Sequence, residues 1–298
     1  MKIESQEISL SLLKEKTIRL FVKRIDKIHP FVSGNKWYKL KYNLIEAKKQ
    51  QKQTVLTFGG AYSNHITATA FATKENDLKS IGIIRGEEHF PLNPTLAFAK
   101  ANGMNLHYIS RNDYRAKTTP DFLERLKQQF GEFYLIPEGG TNKLAIQGSA
   151  AILDKNDTHD IICCAVGTGG TMAGIINAST EQQTIIGFPA IKGMKQLEND
   201  IKNWINKENW KLINSYLCGG YAKLTDELVD FIIDFNNKHQ IPLDAVYTGK
   251  MMLGILDLIA KDYFPKGSSI LAIHTGGLQG NKGMNERLGL SLPTNQYL

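Results

Sequence analysis

The chain has few of the residues that mark disulfide-rich, metal-binding or membrane proteins. Its 298 residues include three cysteines, two of them adjacent at Cys163 and Cys164 within an apolar run. This spacing suits neither a disulfide framework nor a set of metal ligands, so we expect reduced, buried thiols. No apolar run approaches the ~20 residues of a membrane helix, and the N-terminal segment has no long apolar core. We therefore expect a soluble, unexported, cytoplasmic protein.

Acidic residues are fewer than basic ones, 29 against 36, which leaves a formal net charge of +7. The basic residues form no block longer than a helix face, so the pattern favours a solvated surface over a nucleic-acid site. The composition, 42% hydrophobic and 22% charged, is that of an ordinary globular protein. The length predicts one large domain, or two of ordinary size around a cleft. We expect neither a nucleic-acid nor a membrane partner.

Short β-branched runs alternate with amphipathic segments, which predicts strand–helix–strand units and mostly parallel sheets. The predicted strands are 54–58, 80–84, 105–109, 133–136, 161–166, 184–188, 214–218 and 269–274. The predicted helices are 38–50, 64–74, 94–101, 120–129, 144–153, 171–178, 225–238 and 250–261. The chain has no internal repeat, low-complexity tract or evident linker.

Glycine is concentrated just after predicted strands. Four of these strands lead into "FGGAYSNH" at 58–65, "PEGGTN" at 137–142, "VGTGGTMAG" at 166–174 and "HTGGLQG" at 274–280. One such turn is most simply a tight connection that needs positive φ. Four turns at the carboxyl ends of strands, where open α/β sheets bind ligands, indicate a shared cleft.

The turn at 167–171 has the composition of an anion site. Its glycines would let the backbone approach a phosphate, and amides at the helix start could donate to it together with the hydroxyls of Thr168 and Thr171. A dinucleotide fingerprint would need glycine where Met172 stands, and no Gly-Lys-Ser/Thr follows for a nucleoside triphosphate. The pattern therefore favours a small monophosphate over a purely structural turn.

The turn at 62–65, "YSNH", supplies several hydrogen-bonding groups in a row. Ser63 and Asn64 are good helix caps, which would explain either one separately. The whole array suits a carboxylate, with Asn64 able to hold a phenolic oxygen. For His65, a structural role as a hydrogen-bonded histidine within the helix is favoured over a catalytic role.

Lys36 is the candidate reactive group, in "SGNKWYKLKYNL" at 33–44. The motifs "GNKWYKL", "GGAYSNH", "EGGTN", "GTGGT", "VYTGK" and "HTGG" occur in this order between residues 34 and 277. Together they resemble the pyridoxal-phosphate enzymes of the tryptophan-synthase β-type fold, in the 1-aminocyclopropane-1-carboxylate deaminase and D-cysteine desulfhydrase group. The resemblance implies an α/β fold of two open, mostly parallel sheets flanked by helices (fold type II), with the site in the interdomain cleft. It also implies a large domain of 1–47 and 148–298, a small domain of 48–147, and a homodimer.

The resemblance assigns roles to individual residues. Lys36 would bond covalently to the cofactor aldehyde and later act as a base, which a partly desolvated lysine can do. Asn64 would bind the cofactor phenolic oxygen. Ser63, Asn64 and His65 would face the substrate carboxylate, and Tyr247 would lie beside the substrate for proton transfer or steering, although a core tyrosine at a strand end is the plainer alternative. The cofactor phosphate would be held by Gly167, Thr168, Gly169, Gly170 and Thr171.

The two C-terminal motifs separate the activities within this group. In the deaminases of the group that this chain resembles, the two motifs read Tyr-Glu-Gly-Lys and His-Leu-Gly-Gly. This chain has Thr248 in place of the glutamate and Thr275 in place of the leucine. A carboxylate beside the cofactor ring nitrogen keeps that nitrogen protonated, but a hydroxyl can only share a hydrogen bond. Expelling a β-substituent demands less of the ring than opening a cyclopropane, so the residues resemble the desulfhydrase branch. Either threonine could be the nitrogen's partner.

The predicted reaction removes the α-proton of a small amino acid, through Lys36, Tyr247 or Ser63, and expels its β-substituent to leave a keto acid and ammonia. D-Cysteine is the first expected substrate, with D-serine or β-chloroalanine-like compounds next. Three alternatives remain: a 1-aminocyclopropane-1-carboxylate deaminase, a serine/threonine dehydratase or cysteine synthase, and a cofactor-carrying binding protein without turnover. A nicotinamide dehydrogenase is disfavoured because its fingerprint is absent.

Overall fold

The computed structural model describes residues 3–191, 193–220 and 222–295, and its strands form two sheets. The larger sheet contains β1 Ser5–Ile8, β2 Arg19–Lys23, β7 Ile161–Val166, β8 Thr184–Pro189, β9 Trp210–Leu212 and β10 Ser269–Ile273. The smaller contains β3 Thr54–Gly60, β4 Lys79–Arg85, β5 Met104–Ile109 and β6 Tyr134–Ile136. The helices are α1 Ser11–Lys16, α2 Asn35–Lys49, α3 Asn64–Lys74, α4 Pro94–Ala101, α5 Arg111–Arg115, α6 Pro120–Phe130, α7 Lys143–Ala150, α8 Gly170–Ala178, α9 Met194–Lys202, α10 Asp226–His239, α11 Thr248–Ala260 and α12 Gln279–Leu288.

Both sheets are open and mostly parallel, as predicted. The larger has the order β1-β2-β10-β7-β8-β9, and β1 runs antiparallel to β2 at its edge. Strand β10 pairs in parallel with both β2 and β7 near the centre. The smaller has the order β5-β4-β3-β6, with parallel pairs throughout. Parallel strands need crossover connections, and the helices provide them.

Strand β7 shows how an apolar run becomes the core of the larger sheet. All of its residues are buried. Successive side chains of a strand point to opposite faces, so Cys163 and Cys164 belong to two different hydrophobic clusters. Cys163 and Cys164 are buried, as predicted, whereas the third cysteine, Cys218, is only partly buried. Burial raises the pKa of the Cys164 thiol to about 12, which makes it a poor nucleophile.

Helix α2 contacts both sheets. Tyr38 packs in a cluster with residues of β7, whereas Leu44 packs in the cluster that includes Val55 of β3. The strands of each sheet fall on the predicted sides of the boundaries at 47 and 148. The boundaries themselves stay a prediction, since α2 packs on both sides of the first one.

The predicted strand at 214–218 is wrong, because that segment consists of turns and β9 precedes it. The Tyr216 hydroxyl donates to Asp257 Oδ2 at 2.6 Å, so a tether to α11 takes the place of strand pairing. Strands β1, β2 and β9 and helices α1, α5, α9 and α12 were not predicted. In α12 two glycines, Gly280 and Gly283, weaken the helical signal. Among the helices of the described ranges, none combines the length and apolar character needed to cross a bilayer.

Candidate active site

A cavity of about 510 Å³ opens where strands of both sheets end, and all four glycine-containing turns contribute to its wall. This volume is typical of small-molecule sites, which measure ~300–1,000 Å³. The predicted site residues that line it are Lys36, Ser63, Asn64, His65, Gly167, Thr168, Gly169, Thr171, Tyr247 and Thr275. Gly170 and Thr248 are absent from that lining. The sequence therefore located the cleft and most of its wall.

Lys36 lies in the first turn of α2, and its neighbour Asn35 fixes its surroundings. Lys36 Nζ donates to Asn35 Oδ1 at 2.9 Å, and Asn35 Nδ2 donates to Thr171 Oγ1 at 2.8 Å. The backbone N–H of Asn35 donates to Thr275 O at 3.2 Å. Asn35 thus joins the lysine to two of the glycine turns. Asn35 was not among the predicted site residues, although it directly precedes the lysine.

The environment of Lys36 favours a neutral amine. Burial lowers the pKa of Lys36 to about 8, and the nearby carboxylate of Asp244 opposes part of this shift. The side chain keeps some exposure, and it lines the cavity. A lysine with this pKa is substantially deprotonated at mildly basic pH, so it can act as a nucleophile and as a base.

A second buried lysine, Lys39, follows Lys36 by three residues on the same face of α2. Its amine donates to Gly139 O and, at 2.9 Å, to Thr141 Oγ1. Thr141 Oγ1 and Thr168 Oγ1 are 2.5 Å apart. Burial, with a smaller contribution from Lys36, lowers the pKa of Lys39 well below its usual value. Lys39 was not among the predicted site residues. Its three-residue spacing from Lys36 within "GNKWYKL" could have indicated that both lysines lie on one face of the helix.

Gly169 and Gly170 of the 167–171 turn have no space for a side chain. Gly169 has φ of +80° and precedes α8, and a Cβ on it would lie 2.8 Å from Ile201 Cγ1. A Cβ on Gly170 would lie 2.8 Å from Thr141 Oγ1. Backbone amides at the start of α8 are therefore accessible to an anion, and the helix dipole favours negative charge there. Gly170 is the first residue of α8, so it would contribute its backbone N–H to such an anion site.

The 63–65 turn contains both satisfied and unsatisfied groups. Ser63 caps α3, since its Oγ accepts from the N–H of His65 at 3.2 Å and of Ile66 at 3.4 Å. Asn64 Oδ1 is buried, and within the described ranges it has no hydrogen-bond partner. A buried amide oxygen without a partner costs free energy, so this position is suited to a ligand.

The tautomer of His65 follows from its hydrogen bonds. The Thr57 hydroxyl donates to Ile136 O at 2.8 Å and lies 2.8 Å from His65 Nε2, so Nε2 must carry the hydrogen. His65 Nδ1 is then a buried acceptor without a partner among the described residues. Burial, with Lys36 and Lys39, lowers the pKa of His65 well below its usual value. This neutral histidine is hydrogen-bonded on one side, as the sequence suggested, and lines the cavity with the other residues of its turn.

Asp244 organises the segment that carries Tyr247 and Thr248. Its Oδ1 accepts from the N–H of Val246 at 2.9 Å and of Tyr247 at 2.8 Å. Its Oδ2 accepts from the N–H and the hydroxyl of Thr248 at 2.8 and 2.6 Å. The Thr248 hydroxyl also accepts from the N–H of Asp244 at 2.8 Å, so it is fully engaged away from the cavity. Of the two candidate threonines, the structure brings Thr275 to the cavity wall and leaves Thr248 behind it.

The turn that carries Thr275 is held by His274. His274 Nε2 lies 2.6 Å from Pro242 O and therefore donates to it, while His274 Nδ1 accepts from the N–H of Gly276 at 3.2 Å. Gly277 has φ of +109°, and a Cβ on it would lie 2.9 Å from Asn64 Nδ2 and 3.3 Å from Asp244 Cγ. The glycines of this turn thus let three segments of the site meet.

Comparison with known proteins agrees with this geometry. A family model described as "Pyridoxal-phosphate dependent enzyme" matches residues 4–276. A putative 1-aminocyclopropane-1-carboxylate deaminase of Thermotoga maritima is 31% identical over 94% of this chain and 95% of its own length. A mitochondrial bifunctional D-cysteine desulfhydrase/1-aminocyclopropane-1-carboxylate deaminase of Arabidopsis thaliana is 32% identical over 88% of this chain and 73% of its own. The crystal structure of an ACC deaminase homologue superposes with a TM-score of 0.84 at 28% identity, covering 97% of this chain and 93% of that one.

Proposed function

The chain belongs to the family of pyridoxal-phosphate dependent enzymes, and we propose that it converts a small amino acid to a keto acid and ammonia by β-elimination, with D-cysteine as the first substrate. Its cofactor is pyridoxal phosphate. The family match covers residues 4–276 and supports pyridoxal-phosphate-dependent chemistry. The choice of reaction rests on the wall of the cavity.

The residues of the site fit this cofactor. Three of the five residues in the 167–171 turn are glycines, and Lys36 and Lys39 are linked to the turn by hydrogen bonds through Asn35 and Thr141. This arrangement suits a phosphate dianion. Lys36, with its lowered pKa, would bond to the cofactor aldehyde. Asn64 would donate from its amide nitrogen to the phenolic oxygen, and its Oδ1, which has no partner among the described residues, would accept from a donor group of the ligand.

The observation that carries the proposed reaction is the position of Thr275 in the lining of the cavity. Among the described residues that line the cavity, Glu138 alone has a carboxylate. That carboxylate accepts from the Tyr114 hydroxyl at 2.8 Å and pairs with Lys117 at 3.2 Å. If Thr275 pairs with the ring nitrogen of the bound cofactor, its hydroxyl would support elimination of a good leaving group better than opening of a cyclopropane, which needs a carboxylate there.

The chain's own groups have separate tasks in this proposal. When bound, pyridoxal phosphate accepts the electron pair that proton removal leaves at the α-carbon. Lys36 Nζ takes the α-proton, because its lowered pKa makes the neutral amine accessible. Ser63, Asn64 and His65 orient the substrate carboxylate, with Ser63 donating its remaining hydroxyl hydrogen. Tyr247, beside Gly167 at the wall, steers the side chain or relays a proton to the departing group.

A second candidate is 1-aminocyclopropane-1-carboxylate deaminase, and the names of the Thermotoga and Arabidopsis relatives favour it. Purified holoenzyme should be assayed with D-cysteine, L-cysteine and the cyclopropane substrate. We expect sulfide, pyruvate and ammonia from D-cysteine and little 2-oxobutanoate from the cyclopropane. Lys36→Ala, which keeps the 167–171 turn, should retain some cofactor and have no turnover. Cyclopropane opening at or above the rate on D-cysteine would reverse the assignment.

We extend the proposal to assembly and location. The family resemblance supports a homodimer, which light scattering would test. The spread of basic residues supports the absence of nucleic-acid partners, and retention on heparin or DNA resin in moderate salt would contradict this. We also propose that the protein is cytoplasmic, and that residues 1–47 and 148–298 form its large domain and residues 48–147 its small domain. Limited proteolysis tests the bounds.

A further inference from the structure

Two arginines lie at the outer wall of the cavity, Arg85 and Arg287. Arg85 ends β4, and its Nη2 is 3.5 Å from the position that a Cβ on Gly60 would take. Arg287 lies on α12, one turn after Gly283, where a Cβ would be 2.3 Å from Tyr62 Cε1. Residues four apart share a helix face. Arg85 of the smaller sheet thus brings its guanidinium close to Gly60, and Arg287 lies on the face of α12 that packs against Tyr62.

Neither guanidinium has an ion pair among the residues that the structure describes. Arg85 lies 5.6 Å over the ring of Tyr114, and the hydroxyl of that tyrosine already donates to Glu138. Glu138 also pairs with Lys117, so the carboxylate at the wall is bound to other partners. Both arginines are exposed. Two fixed positive charges that face a ligand cavity without a protein counterion can select an anionic ligand group.

The interior of the site already has donors for the amino acid's own carboxylate, on the 63–65 turn. The arginines are therefore available to the other end of the ligand. We propose that, among β-substituted amino acids larger than D-cysteine, the site prefers those that carry a second oxyanion, such as a carboxylate, at the end of the β-substituent that is eliminated, and that Arg85 and Arg287 recognise it. This inference rests on the proposed function for the position of the amino acid.

A matched substrate pair tests the inference: S-carboxymethyl-D-cysteine and S-carbamoylmethyl-D-cysteine, which differ in a carboxylate against a neutral amide. In both, Lys36 takes the α-proton, the Cβ–S bond breaks, and sulfur leaves with the electron pair as a thiolate. One water then completes the conversion to pyruvate and ammonia. We expect kcat/KM with holoenzyme to be about tenfold higher for the carboxylate, since exposed pairs contribute modestly. The preference should weaken as salt rises.

The variants Arg85→Met and Arg287→Met should each reduce this preference, mainly through KM of the anionic substrate, and the double variant should abolish it. Arg111→Met is the matched control, because Arg111 is exposed and does not line the cavity. Equal kcat/KM for the two substrates in the wild type would overturn the inference. So would an equal fall for both substrates in the arginine variants, which would place these residues on a shared part of the ligand.

Failure of the inference and failure of the proposed function give different results. If D-cysteine yields pyruvate and sulfide but the matched pair shows no charge preference, the reaction stands and the inference fails. If no substrate is turned over, calorimetric binding of the same two thioethers to holoenzyme still tests the inference. Tighter binding of the carboxylate that is lost in the double variant supports it, and equal binding contradicts it.

Discussion

A Cβ atom on Gly34 would lie 1.9 Å from the carbonyl oxygen of Thr275. The two backbones meet at this point, and the N–H of Asn35 donates to the same oxygen at 3.2 Å. The start of the helix that contains Lys36 and the turn that contains Thr275 are thus in direct backbone contact. Nothing larger than glycine fits between them, so the relative position of the two groups is determined by backbone packing.

We expect Gly34→Ala to disrupt this contact. Gly34 has φ of +63°, and the new methyl group would overlap backbone atoms that cannot rotate away. The loss of stability should exceed the ~1–2 kcal/mol of a left-handed backbone alone, and activity should fall with it. Gly103→Ala is the control, because Gly103 has φ of +85° with nothing within 4 Å of the added carbon. Chemical denaturation of both variants would check this, and equal losses would refute the steric argument.

Cofactor attachment should occur at Lys36 with a pH dependence that reflects its lowered pKa. Borohydride treatment of holoenzyme followed by peptide mapping should label Lys36. The rate at which cofactor-free protein captures pyridoxal phosphate should rise with pH and level off above about 8, where the amine of Lys36 is neutral. A label on Lys39, or a rate that keeps rising towards the ordinary lysine range near 10.5, would contradict the assignment.

Lys36 should also destabilise the cofactor-free fold at neutral pH. Its pKa is 10.5 in the unfolded reference and about 8 in the fold. Below pH 8 both states are protonated and the fold bears the full cost of a buried charge. Between 8 and 10.5 the unfolded state binds more protons, so stability rises. Lys36→Met should therefore stabilise cofactor-free protein at pH 7 by on the order of 2 kcal/mol, discounted for partial exposure.

That gain from Lys36→Met should shrink as pH rises from 8 to 10.5. Urea unfolding at several pH values would measure it. Lys41→Met on the same helix serves as control, because Lys41 is exposed. A destabilised Lys36→Met at pH 7 would mean that the amine contributes favourably to the fold.

Gly169→Asp should abolish cofactor binding. The side chain would meet Ile201 near 2.8 Å, at a residue with φ of +80°, and its charge would oppose the phosphate. Gly131→Asp is a matched control with φ of +74° and open space around the added carbon. Fluorescence titration with pyridoxal phosphate should give normal binding for the control and at least ~100-fold weaker binding for Gly169→Asp, equivalent to about 2.8 kcal/mol. Normal occupancy of Gly169→Asp would exclude the 167–171 turn as the phosphate site.

The two threonines should respond differently to replacement by valine. Thr275→Val removes the hydroxyl at the wall and should lower kcat for D-cysteine about tenfold with little change in stability. Thr248→Val leaves the buried N–H of Asp244 and one carboxylate interaction without their partner. It should cost about 1–3 kcal/mol of stability and affect kcat only through displacement of Tyr247. A larger kcat loss in a fully stable Thr248→Val would reverse this division of roles.

The local parts of this protein follow from its sequence. Helix α3 begins at Asn64, as predicted from its serine cap, and the four glycine-rich turns follow β3, β6, β7 and β10 as the alternation indicated. These features depend on φ preferences, capping and apolar periodicity, which involve neighbouring residues only. Short strands such as β1 and β9 have too few residues for a periodic signal, so the sequence did not predict them.

Tertiary structure alone decided which hydroxyl, amine and amide reach the cavity. The sequence does not distinguish Thr248 from Thr275, since both are threonines in glycine-containing motifs. In the structure Thr248 is hydrogen-bonded to Asp244 and does not line the cavity, whereas Thr275 does. Asn35 and Lys39 stand within the lysine motif, but they hydrogen-bond to partners more than 100 residues distant, and Asp244 acts from a buried loop, so the sequence did not show the role of any of the three. The lowered pKa of Lys36 likewise comes from burial by segments far apart in the chain. The sequence by itself determined the turns and marked Lys36 as the candidate lysine, and long-range packing determined the environment of these residues, because desolvation and hydrogen-bond partners exist only once the sheets are assembled.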